Sequence, residues 1–179
     1  MQIRLAKPSD AEELINIYRP YVEQSAITFE YEVPAEREFR ERIRRVGEKY
    51  PYLICENEGE ILGYCYAHEM HERAAYQWDA ELSVYVKQNK RGRGIGTLLY
   101  QMLLELLKLQ RIQTVTACIT LPNEESRAFH ESFGFRQTGY SAKAGYKLGE
   151  WHDVGWFELA LGEHENPPRP FIAVSELNL

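Results

Sequence analysis

The sequence predicts a single mixed α/β domain with one parallel strand pair near its middle. Three observations predict it. Segments of alternating or β-branched apolar residues interleave with segments whose apolar residues recur every three to four positions. One strand-like run, 80–86, leads through a helical run into a second strand-like run, 112–120, and a strand-helix-strand unit implies a parallel pair. Finally, 179 residues with 44% hydrophobic and 27% charged content are ordinary for a globular domain with a real core.

Residues 2–6 alternate and read as a short strand. Pro8-Ser9 opens a helix, with Ser9 and Glu12 spaced as a capping box and Leu14, Ile17, Tyr18, Tyr21 and Val22 on one stripe. Residues 25–33 are aromatic and turn-like. Pro34 starts a Glu- and Arg-rich helix that ends near Gly47 to Tyr50. Residues 52–56 and 61–67, joined by Asn57-Glu58-Gly59, read as a hairpin. Residues 71–78 form a polar-aromatic loop. Ile95, Leu98, Leu99, Met102, Leu103, Leu106 and Leu107 mark an amphipathic helix. Asn123 caps a short helix that Gly134 ends. Residues 135–146 and 154–161 read as two closing strands. Pro167, Pro168 and Pro170 exclude regular structure from residues 162–179. The organisation is one domain, 1–161, followed by a proline-containing tail, 162–179.

Lys plus Arg number 21 and Asp plus Glu number 27, a net charge of −6. That balance argues against a general nucleic-acid or membrane-surface binder. Cys55, Cys65 and Cys118 are odd in number and lack C-x-x-C spacing, so core packing in a reducing compartment is expected. No stretch has signal-peptide or transmembrane character, and a cytoplasmic protein is expected. His68-Glu69-x-His71 falls at a strand end, which turns residues three apart to opposite faces, so no metal site is expected.

The chemically informative segment is Arg91-Gly92-Arg93-Gly94-Ile95-Gly96, between a strand and a helix. Glycines permit a backbone path that aims amides at one point near the positive end of the helix dipole, which makes a pyrophosphate site. The spacing fits neither a Walker A loop nor a dinucleotide fingerprint. Taken alone, the loop is also compatible with a plain turn or a basic RNA-contacting patch.

In context, the pattern resembles the GNAT acetyltransferase superfamily. The strand Glu81-Leu-Ser-Val-Tyr-Val86 precedes Arg91-x-x-Gly94-x-Gly96, which matches the acyl-CoA pyrophosphate signature. The run from Asn123 through Ser126 and His130 to Gly134-Phe135 matches the second motif. Arg73-Ala-Ala-Tyr76-Gln-Trp78, Leu121-Pro-Asn123, Ala144-Gly145-Tyr146-Lys147, Trp151-His-Asp-Val-Gly155 and the proline tail are similar to the phosphinothricin N-acetyltransferase branch. That branch includes enzymes acting on methionine sulfoximine and methionine sulfone.

The resemblance implies a mixed, twisted sheet with helices on both faces, its central parallel strands splayed for the pantetheine arm. It implies acetyl-CoA as co-substrate, a small-molecule amine as acceptor, direct transfer in a ternary complex, and a homodimer. Val84, Tyr85 and Val86 would pair with pantetheine through their backbone. Gly92, Arg93, Gly94, Ile95, Gly96 and Thr97 would hold the pyrophosphate with Arg91 nearby, and Asn123 and Ser126 would complete the cofactor site.

Glu81 is the expected general base, because an ammonium acceptor must lose a proton before attacking a thioester. It shares a strand face with Ser83 and Tyr85, opposite Leu82, Val84 and Val86. His130 stands where many superfamily members carry a tyrosine that protonates the departing thiolate. Imidazolium, with a pKa of about 6.5, can donate to a thiolate near about 8.5. A histidine satisfied inside a packed helix is the alternative. Arg73 and Tyr76 are candidates for the acceptor's carboxylate and tail. Thr28 and Phe29 fall where the family's loop covers the acceptor pocket. Cys118 and Thr120 are candidates for lining it. The rival functions are another amine acetyltransferase, for a polyamine, an antibiotic or a protein N-terminus, and a non-catalytic acyl-CoA-binding module.

Overall fold

Seven strands form one sheet in a computed structural model that describes residues 1–178. They are β1 (Gln2–Leu5), β2 (Tyr52–Asn57), β3 (Glu60–Glu69), β4 (Asp79–Val86), β5 (Thr114–Leu121), β6 (Arg136–Lys147) and β7 (Glu150–Ala160). Four helices accompany them: α1 (Ala11–Gln24), α2 (Glu36–Lys49), α3 (Ile95–Leu109) and α4 (Glu124–Ser132). The sheet order is β1-β2-β3-β4-β5-β7-β6, and only β4 and β5 run parallel. The expected parallel pair is therefore the one that α3 connects.

Strand alternation sends side chains into two cores. Leu53, Cys55, Cys65, Leu82, Val115, Ala117 and Ile119 meet Leu99, Leu103 and Leu107 of α3, with Phe129 and Phe133 of α4 packed beside them. Tyr52, Ile54 and Tyr64, on the other face, meet Leu14, Ile17, Tyr18 and Tyr21 of α1 and Phe39 and Ile43 of α2. Helices thus cover both faces, as the resemblance implied.

Several local expectations need correction. The Ser9–Glu12 capping box does not form. A 3-10 turn, Pro8–Asp10, precedes α1, and the Asp10 carboxylate accepts from the Lys7 amide at 2.7 Å and from Arg4 at 2.9 Å. Ser9 lies inside that turn, so its hydroxyl is not at the start of α1, and the N-cap position falls to Asp10. β7 begins at Glu150, not 154, because Leu148 and Gly149 both adopt positive φ and close a tight hairpin pairing Lys147 with Glu150. Leu98 and Met102 flank the buried stripe of α3 and are exposed. Cys55 and Cys65 are buried, but Cys118 is exposed, because its face of β5 is not covered by a helix. The 71–78 loop holds a 3-10 turn at Ala74–Tyr76, and the tail holds another at Val174–Glu176.

The tail lies on its own domain. Phe171 packs on Tyr50, with ring centroids 5.4 Å apart, and Val174 is buried. The Gln110 side chain donates to Ile172 O at 2.8 Å, and Trp78 Nε1 donates to Arg169 O at 2.7 Å. Leu179 lies outside the described residues.

Candidate active site

β4 and β5 are in register at only three positions, Asp79 with Thr114, Ala80 with Val115 and Glu81 with Thr116. Both strands continue, to Val86 and Leu121, without further pairing. The result is a wedge-shaped gap in the sheet. Its wide end meets the glycine loop and its closed end meets Glu81.

At the wide end, Gly92 and Gly94 have φ of +70° and +76°, the left-handed conformation glycine permits. A Cβ on either would meet nothing within 4 Å, so conformation and not crowding is what requires glycine here. The first helical bond of α3 runs from Leu98 N to Gly94 O at 3.0 Å. The amides of Ile95, Gly96 and Thr97 therefore have no intrahelical partner and sit at the positive end of a 15-residue helix. This cradle fits a pyrophosphate. Arg91 is tied to Glu125 at 2.6 Å and Lys90 to Glu60 at 3.0 Å, while Arg93 is exposed.

At the closed end, Glu81 is half-buried between His68 of β3 and Thr116 of β5. Ser83 and Tyr85 share its face. That face is aromatic: the Tyr85 ring lies 4.9 Å from Tyr18, 5.1 Å from Tyr21 and 5.3 Å from Tyr64. Cys118 faces the same side. Its surface is open to the gap, but the protein packed around it desolvates the thiol and pushes it up to about 11, with the Glu81 charge adding to the effect, so it stays protonated at neutral pH. A cleft of about 1130 Å³ runs between α2 and this face, lined in part by Tyr52, Tyr64, Tyr66 and His68 and by Arg42 and Arg45 of α2.

Asn123 Oδ1 accepts from Ser126 N at 3.1 Å and caps α4, as its position predicts. His130 is buried on this helix. Its Nδ1 donates to Ser126 O at 2.7 Å, which leaves Nε2 to accept from the Tyr100 hydroxyl at 2.8 Å. Burial lowers its pKa, so the imidazole is neutral at neutral pH. Of the two readings the residues left open, this geometry suits the satisfied histidine.

The loop between α1 and α2 docks on the β6–β7 hairpin. Phe29 packs against Gly145, with its ring 6.3 Å from His152, and the Tyr31 hydroxyl donates to Tyr146 O. Thr28 is held from two sides: its hydroxyl is 2.6 Å from Tyr18 Oη, and its carbonyl accepts from Lys147 Nζ at 2.7 Å. Lys147 is only 3% exposed, and burial lowers its pKa. In the sequence, Tyr21 has a place on the α1 stripe and Lys147 one in a family motif, neither with a partner, and Tyr100 is unmarked, because nothing in a local pattern marks their long-range contacts. Arg73 and Tyr76 lie apart from this cluster on the exposed β3–β4 loop, where Tyr76 packs edge-on against His71 at 4.5 Å.

The gap, the amide cradle and the half-buried carboxylate together can hold an acyl-CoA and deprotonate an amine. Residues 3–156 match the family described as "Acetyltransferase (GNAT) domain". The chain belongs to the GNAT acetyltransferases. As a GNAT enzyme it is an acetyl-CoA-dependent N-acetyltransferase, and no metal-ligating group of three or more His, Cys, Asp or Glu occurs among the described residues. It is 36% identical to the phosphinothricin N-acetyltransferase of Streptomyces viridochromogenes over 177 residues, 99% of this chain and 96% of that one. It is 31% identical to the L-methionine sulfoximine/L-methionine sulfone acetyltransferase of Pseudomonas aeruginosa, over 69% of this chain and 73% of that one. The crystal structure of a GNAT superfamily phosphinothricin acetyltransferase from Sinorhizobium meliloti, in complex with AcCoA, superposes with a TM-score of 0.88. It is 30% identical and covers 94% of this chain and 92% of its own.

Proposed function

We propose that this GNAT enzyme acetylates the α-amine of small amino acids whose side chain ends in a polar tetrahedral centre, of the phosphinothricin, methionine sulfoximine or methionine sulfone type. The observation that carries the reading is Glu81 at the closed end of the gap, one half-buried carboxylate beside the point where the strands part. Acetyl-CoA supplies the activated acyl group. Gly92 to Thr97 hold the pyrophosphate through backbone amides, with Arg91 and Arg93 around it. The β4 edge from Val84 to Val86 lies along the pantetheine arm, and Asn123 and Ser126 flank it. The N–H and C=O of Val84 are the groups open to pair with the arm, since those of Tyr85 turn toward β3 and those of Val86 meet Tyr21. Glu81 takes the ammonium proton, directly or through water. Thr28 and Phe29 roof the acceptor pocket, and Arg73 and Tyr76 approach from the β3–β4 loop to meet the acceptor's carboxylate and tail. His130, neutral and bonded at both nitrogens, positions α4 against Tyr100. Solvent returns the proton to the thiolate.

The names of the relatives support this acceptor class. The enzyme acts in the cytoplasm, which suits free buried thiols at Cys55 and Cys65. It works as a homodimer. The tail is used up on its own domain, so the surface for a partner is the apolar one left open, Tyr140, Tyr146, Leu148 and Trp151 on the β6–β7 hairpin. Light scattering showing a monomer at micromolar concentration would refute the dimer.

The acceptor is tested by thiol release from acetyl-CoA with phosphinothricin, methionine sulfoximine and methionine sulfone beside spermidine, an aminoglycoside and a short peptide. Turnover with the first three is expected. Turnover only with the others overturns the acceptor and leaves fold and cofactor standing.

A further inference from the structure

We infer that Tyr21 positions the cofactor by closing one end of the open β4 edge. Lys87 N donates to Leu62 O at 2.9 Å, which makes Gly63 and Val86 a pair whose own N–H and C=O point away from β3. By alternation, Cys65 and Val84 are another such pair. The polar groups of Val84 and Val86 therefore face the gap, where β5 is no longer in register. Val86 is not left open. The Tyr21 hydroxyl donates to Val86 O at 2.6 Å and stands 3.3 Å from Val86 N as its acceptor. One side chain from α1 thus does at Val86 what a neighbouring strand does elsewhere in the sheet.

The location gives the contact a function. Val86 is the last residue of β4, next to the turn that leads into the cradle. Tyr21 is 5% exposed, and burial raises its pKa, with Arg91 and Glu125 close enough to act on it. Its hydroxyl therefore stays protonated and donating at neutral pH. It stands between the pyrophosphate loop and the rest of the open edge. With Val86 closed, Val84 is the backbone position left for the amides of an acyl-CoA arm reaching from the cradle toward Glu81. Tyr21 fixes the register of that arm.

This inference rests on the placement of the pyrophosphate at Gly92 to Thr97. That placement is tested separately, by loss of 3′-phospho-ADP binding in Gly94→Val. The test of Tyr21 is calorimetric titration of Tyr21→Phe with acetyl-CoA and with 3′-phospho-ADP, which lacks the pantetheine arm. About tenfold weaker acetyl-CoA binding is expected, the worth of one hydrogen bond, with 3′-phospho-ADP binding unchanged. Unchanged or tighter acetyl-CoA binding overturns the inference. So does an equal loss for both ligands, which is general damage to the site. Amide exchange in the unaltered protein gives a second reading. The Val86 amide should exchange slowly without ligand, and the Val84 amide should become protected only when acetyl-CoA is added. A Val86 amide that exchanges freely overturns the inference without any variant.

Discussion

Glu81 and Thr116 are the last residues at which β4 and β5 stay in register. One residue earlier, Ala80 is buried and the sheet is closed, while five residues later Val86 ends at the turn into the glycine loop proposed to hold a pyrophosphate. In the proposed reaction the carboxylate stands where an acyl group delivered along the gap would meet an acceptor lying on the aromatic face.

Gly94→Val is expected to abolish measurable acetyl-CoA binding. The site has room for a side chain, but φ of +76° is strongly unfavourable for a β-branched residue, so the loop must rearrange and its amides turn away. Calorimetry on the folded variant checks this, and unchanged affinity would move the pyrophosphate elsewhere.

Gly145→Ala is expected to raise the acceptor KM several-fold at unchanged acetyl-CoA affinity. A Cβ at this position lands on the Phe29 ring, which must shift and take the α1–α2 loop with it. Steady-state kinetics with both substrates varied separates the two constants. An acceptor KM equal to that of the parent would remove Phe29 from the pocket.

His130 makes stability sensitive to acid. Burial lowers its folded pKa below the unfolded value of about 6.5, so the unfolded chain binds the extra proton first. Its contribution is complete above about pH 6.5 and declines as pH falls from there toward the folded pKa. His130→Leu should cost about 1–3 kcal/mol at pH 7.5 by leaving the Tyr100 hydroxyl without its acceptor. The variant should also lose part of the acid-dependent drop in Tm. Thermal melts from pH 7.5 to 5.5 measure both, and an identical pH slope would show that His130 takes up its proton alike in the folded and the unfolded chain.

The strand-helix-strand unit and its loop were legible because their signals are local. Glycine spacing, the α3 stripe and the Asn123 cap each lie within one element. The closed end of the gap was half legible: alternation put Glu81, Ser83 and Tyr85 on one face, but not the tyrosines from α1 and β3 that cover it. Tyr21 and Val86 are 65 residues apart, and Lys147 and Thr28 are 119 apart. No periodicity reports such pairs. Leu148-Gly149 escaped notice because leucine rarely takes positive φ, and Ser9 misled because a 3-10 turn takes it up and α1 begins only at Ala11. Nothing local says what covers the tail's apolar residues, the body or a partner subunit; Phe171 and Val174 find their cover on their own domain.

The most direct test of the account is the pH–rate profile of Glu81→Gln against the parent, with acetyl-CoA affinity measured alongside. Glutamine keeps the shape and cannot accept the proton. The account predicts a rate deficit of about 10²–10⁴ at neutral pH, with near-parent acetyl-CoA binding. The deficit should shrink as pH rises and free amine becomes abundant. A deficit that stays constant with pH, or a variant as fast as the parent, would contradict Glu81 as the base at the closed end of the gap.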